Sequence, residues 1–338
     1  MNFFDAESGA VGNKSFSVAP MMDWTDRHCR VFHRVLSRTA VLYTEMVTAQ
    51  AIIHGDRQKL LGFDAVEHPV VLQLGGSDPK LLAQAALIGE GFGYDAINLN
   101  CGCPSDRVQG GHFGACLMAE PKVVAACFAA MQAVVKIPVT IKCRIGIDDM
   151  DEFQGLQDFV GEVAAAGCKT FLVHARKAWL KGLSPKENRQ IPPLNYDRVH
   201  QLKNSFPELN IVLNGGLSSL KSDFNHISDL SGLMYGREAY HNPWMLTEVD
   251  PLLAGTPAPV SSRREATELM FPYIERHLAT GAPLHHITRH MLGLYHAQAG
   301  GRFWRQILTM EGQKRGAGLE VILRALTVVE EQAAKLAA

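Results

Sequence analysis

Apolar and polar positions along the chain fall into one recurring unit. A short β-branched apolar run is followed by a polar or glycine-rich turn, then by a stretch with apolar residues three and four apart. The short runs are Phe16–Met21, Val41–Met46, Pro69–Leu74, Ala96–Asn100, Val139–Ile145, Phe171–His174, Ile211–Asn214 and Leu233–Gly236. Helical spacing fills the intervals, most clearly at Leu81–Glu90, Val123–Val135, Leu156–Ala166 and Val199–Phe206. Strands alternating with helices predict a parallel sheet, and eight such units between Phe16 and Gly236 match the size of a (β/α)8 TIM barrel. The competing doubly wound sheet requires a G-x-G-x-x-G turn after its first strand, where this chain has Met21-Met22-Asp23-Trp24.

The pattern changes at Asp250-Pro-Leu-Leu-Ala-Gly-Thr-Pro-Ala-Pro-Val-Ser-Ser262, a Pro/Gly/Ser stretch that reads as a linker. Beyond it only helical spacing continues, at Leu269–Leu278, Ile287–Tyr295, Trp304–Leu308 and Leu319–Leu336, which predicts a small helical bundle. The expected organisation is a barrel over residues 1–250, a linker over 251–262 and a helical domain over 263–338.

Polar residues interrupt the strand-like runs in a consistent place. Gln73 ends Val70-Val71-Leu72-Gln73, Asn98 and Asn100 share a face, as do Lys142 and Arg144, and His174 and Arg176, and Asn214 ends its run. Positions facing the helices of a barrel must be apolar, so these side chains should point into the lumen. All lie at the C-terminal ends of their strands, where barrel active sites are built. A buried Lys or Arg costs several kcal/mol unless paired, so Lys142 and Arg144 imply an anionic or strongly polar ligand; mutual pairing among the polar groups is the alternative. Asn214-Gly215-Gly216 after the seventh run and Gly236-Arg237 after the eighth are placed where barrel enzymes frequently hold a phosphate, glycine admitting the anion close to the backbone and Arg237 able to grip it.

Asn100-Cys101-Gly102-Cys103-Pro104-Ser105 follows the fourth run. Its C-x-C spacing lacks a nearby C-x-x-C or H-x-x-x-H partner to complete a metal site, and no metal is expected. Cys29, Cys116, Cys127, Cys143 and Cys168 read as small core residues. Cys101 and Cys103 differ little by position alone. Cys103 lies further past the strand end, between Gly102 and Pro104, where a thiol is a candidate nucleophile or proton donor; a packed free cysteine is the bland alternative.

Composition sharpens parts of this picture. Seven cysteines in 338 residues are an odd number, which argues against a disulfide framework. Met1 to Lys14 carries Asp5 and Glu7 and no apolar run of the signal-peptide kind, and Val123 to Met131 is too short to span a bilayer, so a cytoplasmic protein is expected. The formal charge of −1 does not announce a nucleic-acid binder. Locally the balance differs. Arg176, Lys177, Lys181, Lys186 and Arg189 face Glu187 alone within residues 176–190, and Arg302, Arg305, Lys314 and Arg315 stand with Phe303 and Trp304 against Glu311. Arg302 and Arg305, three apart, share a helix face.

Taken together the motifs resemble the tRNA-dihydrouridine synthase family. The resemblance is carried by Ala19-Pro20-Met21-Met22-Asp23-Trp24-Thr25-Asp26, Leu72-Gln73-Leu74-Gly75-Gly76, Asn98-Leu99-Asn100-Cys101-Gly102-Cys103-Pro104-Ser105, Lys142-Cys143-Arg144, Val173-His174-Ala175-Arg176, Asn214-Gly215-Gly216 and Gly236-Arg237. The segment from His174 to Pro193 is similar to that of the A subfamily. The resemblance implies an FMN cofactor lined by Pro20, Met21 and Met22, contacted by Gln73, Lys142 and His174, with its phosphate on Asn214, Gly215, Gly216, Gly236 and Arg237. It implies Cys103 as general acid, Asn100 on the target uridine, NADPH as reductant and tRNA as partner. Arg144, Arg176, Lys186, Arg189, Arg302 and Arg305 are the expected tRNA contacts, with D-loop positions 20 and 20a as the expected target. Neither a membrane nor an oligomer is required. Three rivals remain: a flavin enzyme of free pyrimidines or dihydroorotate, a barrel aldolase with Lys142 as Schiff-base residue, and an inert RNA-binding protein.

Overall fold

The computed structural model of the chain describes residues 14–150, 153–227 and 229–337. The reading of Met1 to Lys14 as lacking a signal peptide falls, Lys14 apart, outside the described residues. The chain divides into two compact units, Met1–Asp23 with Val41–Gly236, and Trp24–Ala40 with Arg237–Ala338.

The first unit is a closed parallel barrel. Its strands are β1 (Ser15–Val18), β2 (Val41–Tyr43), β3 (Val70–Gly75), β4 (Ala96–Cys101), β5 (Val139–Arg144), β6 (Thr170–His174), β7 (Asn210–Asn214) and β8 (Gly232–Tyr235). They run in the order β2-β1-β8-β7-β6-β5-β4-β3, and pairing of β2 with β3 closes the ring. A two-residue strand, Val47–Thr48, also pairs with β3. The (β/α)8 barrel expected from the sequence is the observed fold. β1 and β2 are shorter than their apolar runs. Past Val18 only the Ala19 amide continues the ladder, donating to Tyr235 O at 2.7 Å, and the chain turns at Asp23, whose φ is 65°. Apolar character outlasts pairing there because the turn residues remain partly packed.

Helices begin earlier than their apolar spacing because their first turns are set by caps. Asp78 accepts from the amides of Lys80 and Leu81 and Pro79 opens the helix Pro79–Gly91; Asn195 caps Tyr196–Ser205.

Two-residue alternation along the strands divides the lumen into layers. Tyr43, Val71, Ala96, Leu172, Val212 and Met234 form a buried apolar cluster with Ala19 and Val41. Two residues further along these strands stand Gln73, Asn98, His174 and Asn214, so the polar layer sits on an apolar floor. Register aligns Asn100 with Lys142, Arg144 with His174 and His174 with Asn214.

The second unit is helical. Arg27–Leu36, capped by Asp26, packs against His285–Met291 and Pro243–Glu248. The linker expected at 251–262 lies inside this unit: Asp250–Ala254 is helical, and Leu253 and Val260 are buried. Asp250 is fully buried and accepts from Ser37 Oγ, Thr39 Oγ1 and the amides of Arg38 and Thr39. The helix expected at Leu269–Leu278 is found as Phe271–Ala279, and a shorter helix, Arg263–Glu268, precedes it. No helix of the described residues is long and apolar enough to cross a membrane.

Candidate active site

Across β3, β4 and β5 the lumen-facing amides form a continuous hydrogen-bonded row that ends at the Cys103 turn. Thr140 Oγ1 accepts from Asn98 Nδ2 at 2.9 Å, Asn98 Oδ1 from Gln73 Nε2 at 2.7 Å, and Gln73 Oε1 from Asn100 Nδ2 at 2.8 Å. Asn100 Oδ1 then accepts from the backbone amides of Gly102 at 3.0 Å and Cys103 at 2.9 Å. The row fixes the flip of each amide, since reversing one would set donor against donor. It also fixes the turn that carries Cys103. Gln73, expected at the lumen mouth, is 1% exposed and belongs to this row.

Lys142 is half-buried and reaches across the lumen to Asn214 Oδ1 at 3.0 Å, while Asn214 Nδ2 donates to Met234 O at 2.7 Å. Burial, then the nearby Arg144 charge, lower Lys142 to about 8. His174 is half-buried and held well below its usual range by burial and by the cations Arg144, Lys142, Arg176 and Arg189, so its imidazole is neutral. Its ring lies against Gly215, where a Cβ would come within 2.4 Å of His174 Cδ2. Gly215 and Gly216 have φ of 110° and 71°, and a Cβ on Gly216 would meet Leu194 at 2.3 Å. Only glycine fits either place. Gly236 has ordinary clearance, its nearest contacts being Met21 Sδ at 3.8 Å and Ala19 Cβ at 4.0 Å. Pro20 and Met21 are half-buried after β1, and Met22 is exposed. Arg237 opens the helix Arg237–His241.

The two loop thiols separate clearly. Cys101 is fully buried among apolar residues and other cysteines, and burial raises its thiol well above the usual range. Cys103 is half-buried, past the strand end, with Sγ donating to Ser105 Oγ at 3.7 Å.

Arg144, expected to contact the substrate, bonds three backbone carbonyls of the surrounding loops. It is 3% exposed, and its Nε donates to Gly102 O at 2.9 Å while Nη1 donates to Lys177 O at 2.9 Å and Asn188 O at 3.0 Å. Burial lowers it to about 10, which leaves it cationic at neutral pH. Sequence reading passed over two partners in this arrangement. Asn188, fully buried, grips Trp179 through both backbone N and O at 2.8 Å. Gln109 Nε2 donates to Pro104 O and Leu180 O, each at 2.9 Å. Gln109 lies in the short helix Asp106–Gly110 and Asn188 in the helical turn Glu187–Arg189, and neither carries a sequence signal for such a task, because the bonds depend on the path of the loops they reach. Arg176 Nη1 donates to Gln190 O and Pro192 O, and Lys186 and Arg189 are exposed on the same segment.

In the second unit Arg302 and Arg305 are exposed on the helix Gly301–Glu311 together with Phe303. Trp304, expected to interleave with them at the surface, is fully buried and donates its Nε1 to Met291 O at 2.9 Å. Glu311 pairs with Arg324, so the acid set against this basic face is itself neutralised.

A family model described as dihydrouridine synthase matches residues 17–332. The tRNA-dihydrouridine(20/20a) synthase of Xanthomonas campestris pv. campestris is 55% identical over 322 residues, 95% of this chain and 96% of its own length. Proteins of the same description from Shewanella oneidensis and Vibrio cholerae are 56% and 57% identical over 318 and 317 residues, each covering 94% of this chain and 95% and 97% of their own lengths.

Proposed function

The chain belongs to the dihydrouridine synthase family, and on that premise we propose that it reduces uridine to 5,6-dihydrouridine in the tRNA D-loop, at the positions 20 and 20a that its relatives' descriptions give. The observation that carries the reading is Cys103, a half-buried thiol past the end of β4 whose backbone amide is fixed by Asn100.

The lumen residues fit an FMN. Gly215 and Gly216 make a cradle that any Cβ would fill, Lys142 brings a positive charge into a half-buried place, and the neutral His174 has no hydrogen-bond partner for its ring among the described residues. Lys142 and His174 would face the ring system, with Pro20, Met21 and Met22 beside it. The Gly215-Gly216 cradle and Gly236 would take the phosphate, with Arg237, next along the chain, as the cation that the sequence assigns to it. When bound and reduced by NADPH, the flavin supplies the hydride that uracil C6 requires.

The protein's own part is positioning and proton delivery. The Cys103 thiol donates its proton to C5, closing the reduction with a two-electron hydride and one proton. Asn100 spends Oδ1 on the loop amides and one Nδ2 hydrogen on Gln73, leaving the second hydrogen for a uracil carbonyl. A base stacked in folded tRNA cannot enter a barrel lumen, so the uridine must be flipped out. Exposed Lys186, Arg189, Arg302 and Arg305 would take the phosphate backbone. Such a protein works in the cytoplasm. Heat release of the cofactor tests the reading: a yellow compound identical to FMN is expected, and FAD or no flavin at all would overturn it.

A further inference from the structure

Trp179 is 39% exposed, on the segment between β6 and the helix Tyr196–Ser205. The indole is open to solvent on part of its surface, while its backbone is firmly held. Asn188, fully buried, takes both its N and its O. The next residue, Leu180, donates to Asp148 Oδ1 at 2.7 Å and accepts from Gln109 Nε2 at 2.9 Å. The turn is fixed and the ring is presented.

The same side chains that hold this turn also hold the Cys103 loop. Arg144 binds Gly102 O together with Lys177 O and Asn188 O. Gln109 binds Pro104 O together with Leu180 O. Gly102 and Pro104 flank Cys103, and Lys177 and Leu180 lie either side of Trp179 in sequence. Two independent bridges therefore set the indole in register with the thiol. Exposed Lys181, Lys186 and Arg189 surround this turn in sequence with Glu187 as the single acid between Lys177 and Arg189, and the Lys177 ammonium lies 5.9 Å from the indole centroid. A partly exposed π-face with one cation beside it, on a segment rich in cations, suits one chemistry above others: an unstacked nucleobase beside its phosphates.

We propose that Trp179 is a substrate-specificity residue that stacks on a nucleobase of tRNA neighbouring the uridine presented to Cys103. This rests on the activity proposed above. A neighbour unstacked by extrusion of the target loses its partner in the RNA, and the indole replaces it. Because the platform and the thiol are bridged, stacking also sets how far the target reaches into the lumen.

Steady-state kinetics of Trp179→Ala and Trp179→Phe on unmodified tRNA transcript, with NADPH reduction of the bound flavin measured alongside, test this. KM for tRNA should rise about 5- to 150-fold in Trp179→Ala, the effect of one lost base–aromatic stack. Trp179→Phe, which keeps a π-face, should return it to within about 5-fold of the parent, and flavin reduction should be unchanged in both. Tryptophan fluorescence quenched by tRNA in the parent should lose that quenching in Trp179→Phe. Unchanged KM in Trp179→Ala, or equal impairment in Ala and Phe variants, overturns the inference. If the unaltered protein forms no dihydrouridine in tRNA, the proposed function fails instead.

Discussion

Cys101 and Cys103 stand two residues apart with opposite surroundings, and a proton donor needs those of the second. Cys101 is walled into the core, where its raised thiol meets no substrate. Cys103→Ala should keep flavin and tRNA binding while uridine reduction falls about 10²- to 10⁴-fold, the usual contribution of a general acid. Cys101→Ala should leave turnover near the parent's and cost only stability, about 1 kcal/mol for a small buried group. Single-turnover rates and thermal unfolding of the pair check this, and a reversed ranking would contradict it. Lys142 gives a pH prediction with a definite sign. Its folded value is about 8 against 10.5 in a free side chain, so the buried ammonium destabilises the fold below pH 8. That cost shrinks between pH 8 and 10.5 and is absent above. The difference sets a ceiling of about 3 kcal/mol at 1.36 kcal/mol per pH unit. Asn214 loses a donor worth about 1 kcal/mol, so Lys142→Met should stabilise the flavin-free protein by about 1–2 kcal/mol at pH 7. Denaturant unfolding at pH 7 and at pH 10.5 checks it, and an equal effect at the two would count against the account.

At the scale of elements, what was legible in the sequence was alternation, and what was hidden was contact at a distance. The apolar runs became the barrel strands because a parallel strand is buried on both faces and leaves an unbroken signal. The polar residues at their ends marked the lumen because a two-residue period puts Gln73, Asn98 and Asn214 on the inner face. Where a strand stops depends on its neighbour's reach, so the ends of β1 and β2 were overrun. Arg27–Leu36 falls between the first two apolar runs, yet it packs within the second unit, against the helix His285–Met291, far away in sequence. Asn188 and Gln109 were silent for the same reason, since only the folded loop brings a carbonyl to each amide. The helix Gly301–Glu311 shows both outcomes: spacing located it and put Arg302 and Arg305 on the surface, but Trp304 belongs to its buried face. Arg302→Ala combined with Arg305→Ala should weaken tRNA binding and flatten the log–log salt dependence by about 0.9 per lost phosphate contact. Filter binding across salt concentrations measures this. A slope equal to the parent's would remove the helix from the interface.

At the scale of the molecule, the formal charge of −1 conceals how charge is distributed. Cations gather on the segment after β6 in one unit and on the helix Gly301–Glu311 in the other, where Glu311 is paired with Arg324, while acids elsewhere cap helices or are bonded internally, as Asp78 and Asp250 are. A neutral total thus coexists with basic surfaces suited to RNA. A barrel that served only free pyrimidines would need the lumen set but neither basic surface, and a protein that only bound RNA would need the surfaces but not Cys103. This chain joins the lumen set to the basic surfaces, and both act in a single reaction. Purified protein, FMN, NADPH and an unmodified tRNA transcript are incubated, and dihydrouridine is mapped nucleotide by nucleotide. Reduction is expected at positions 20 and 20a, and it should be lost in Cys103→Ala. Reduction of free uracil or dihydroorotate chemistry with tRNA untouched, or dihydrouridine at other positions alone, would contradict the proposed function.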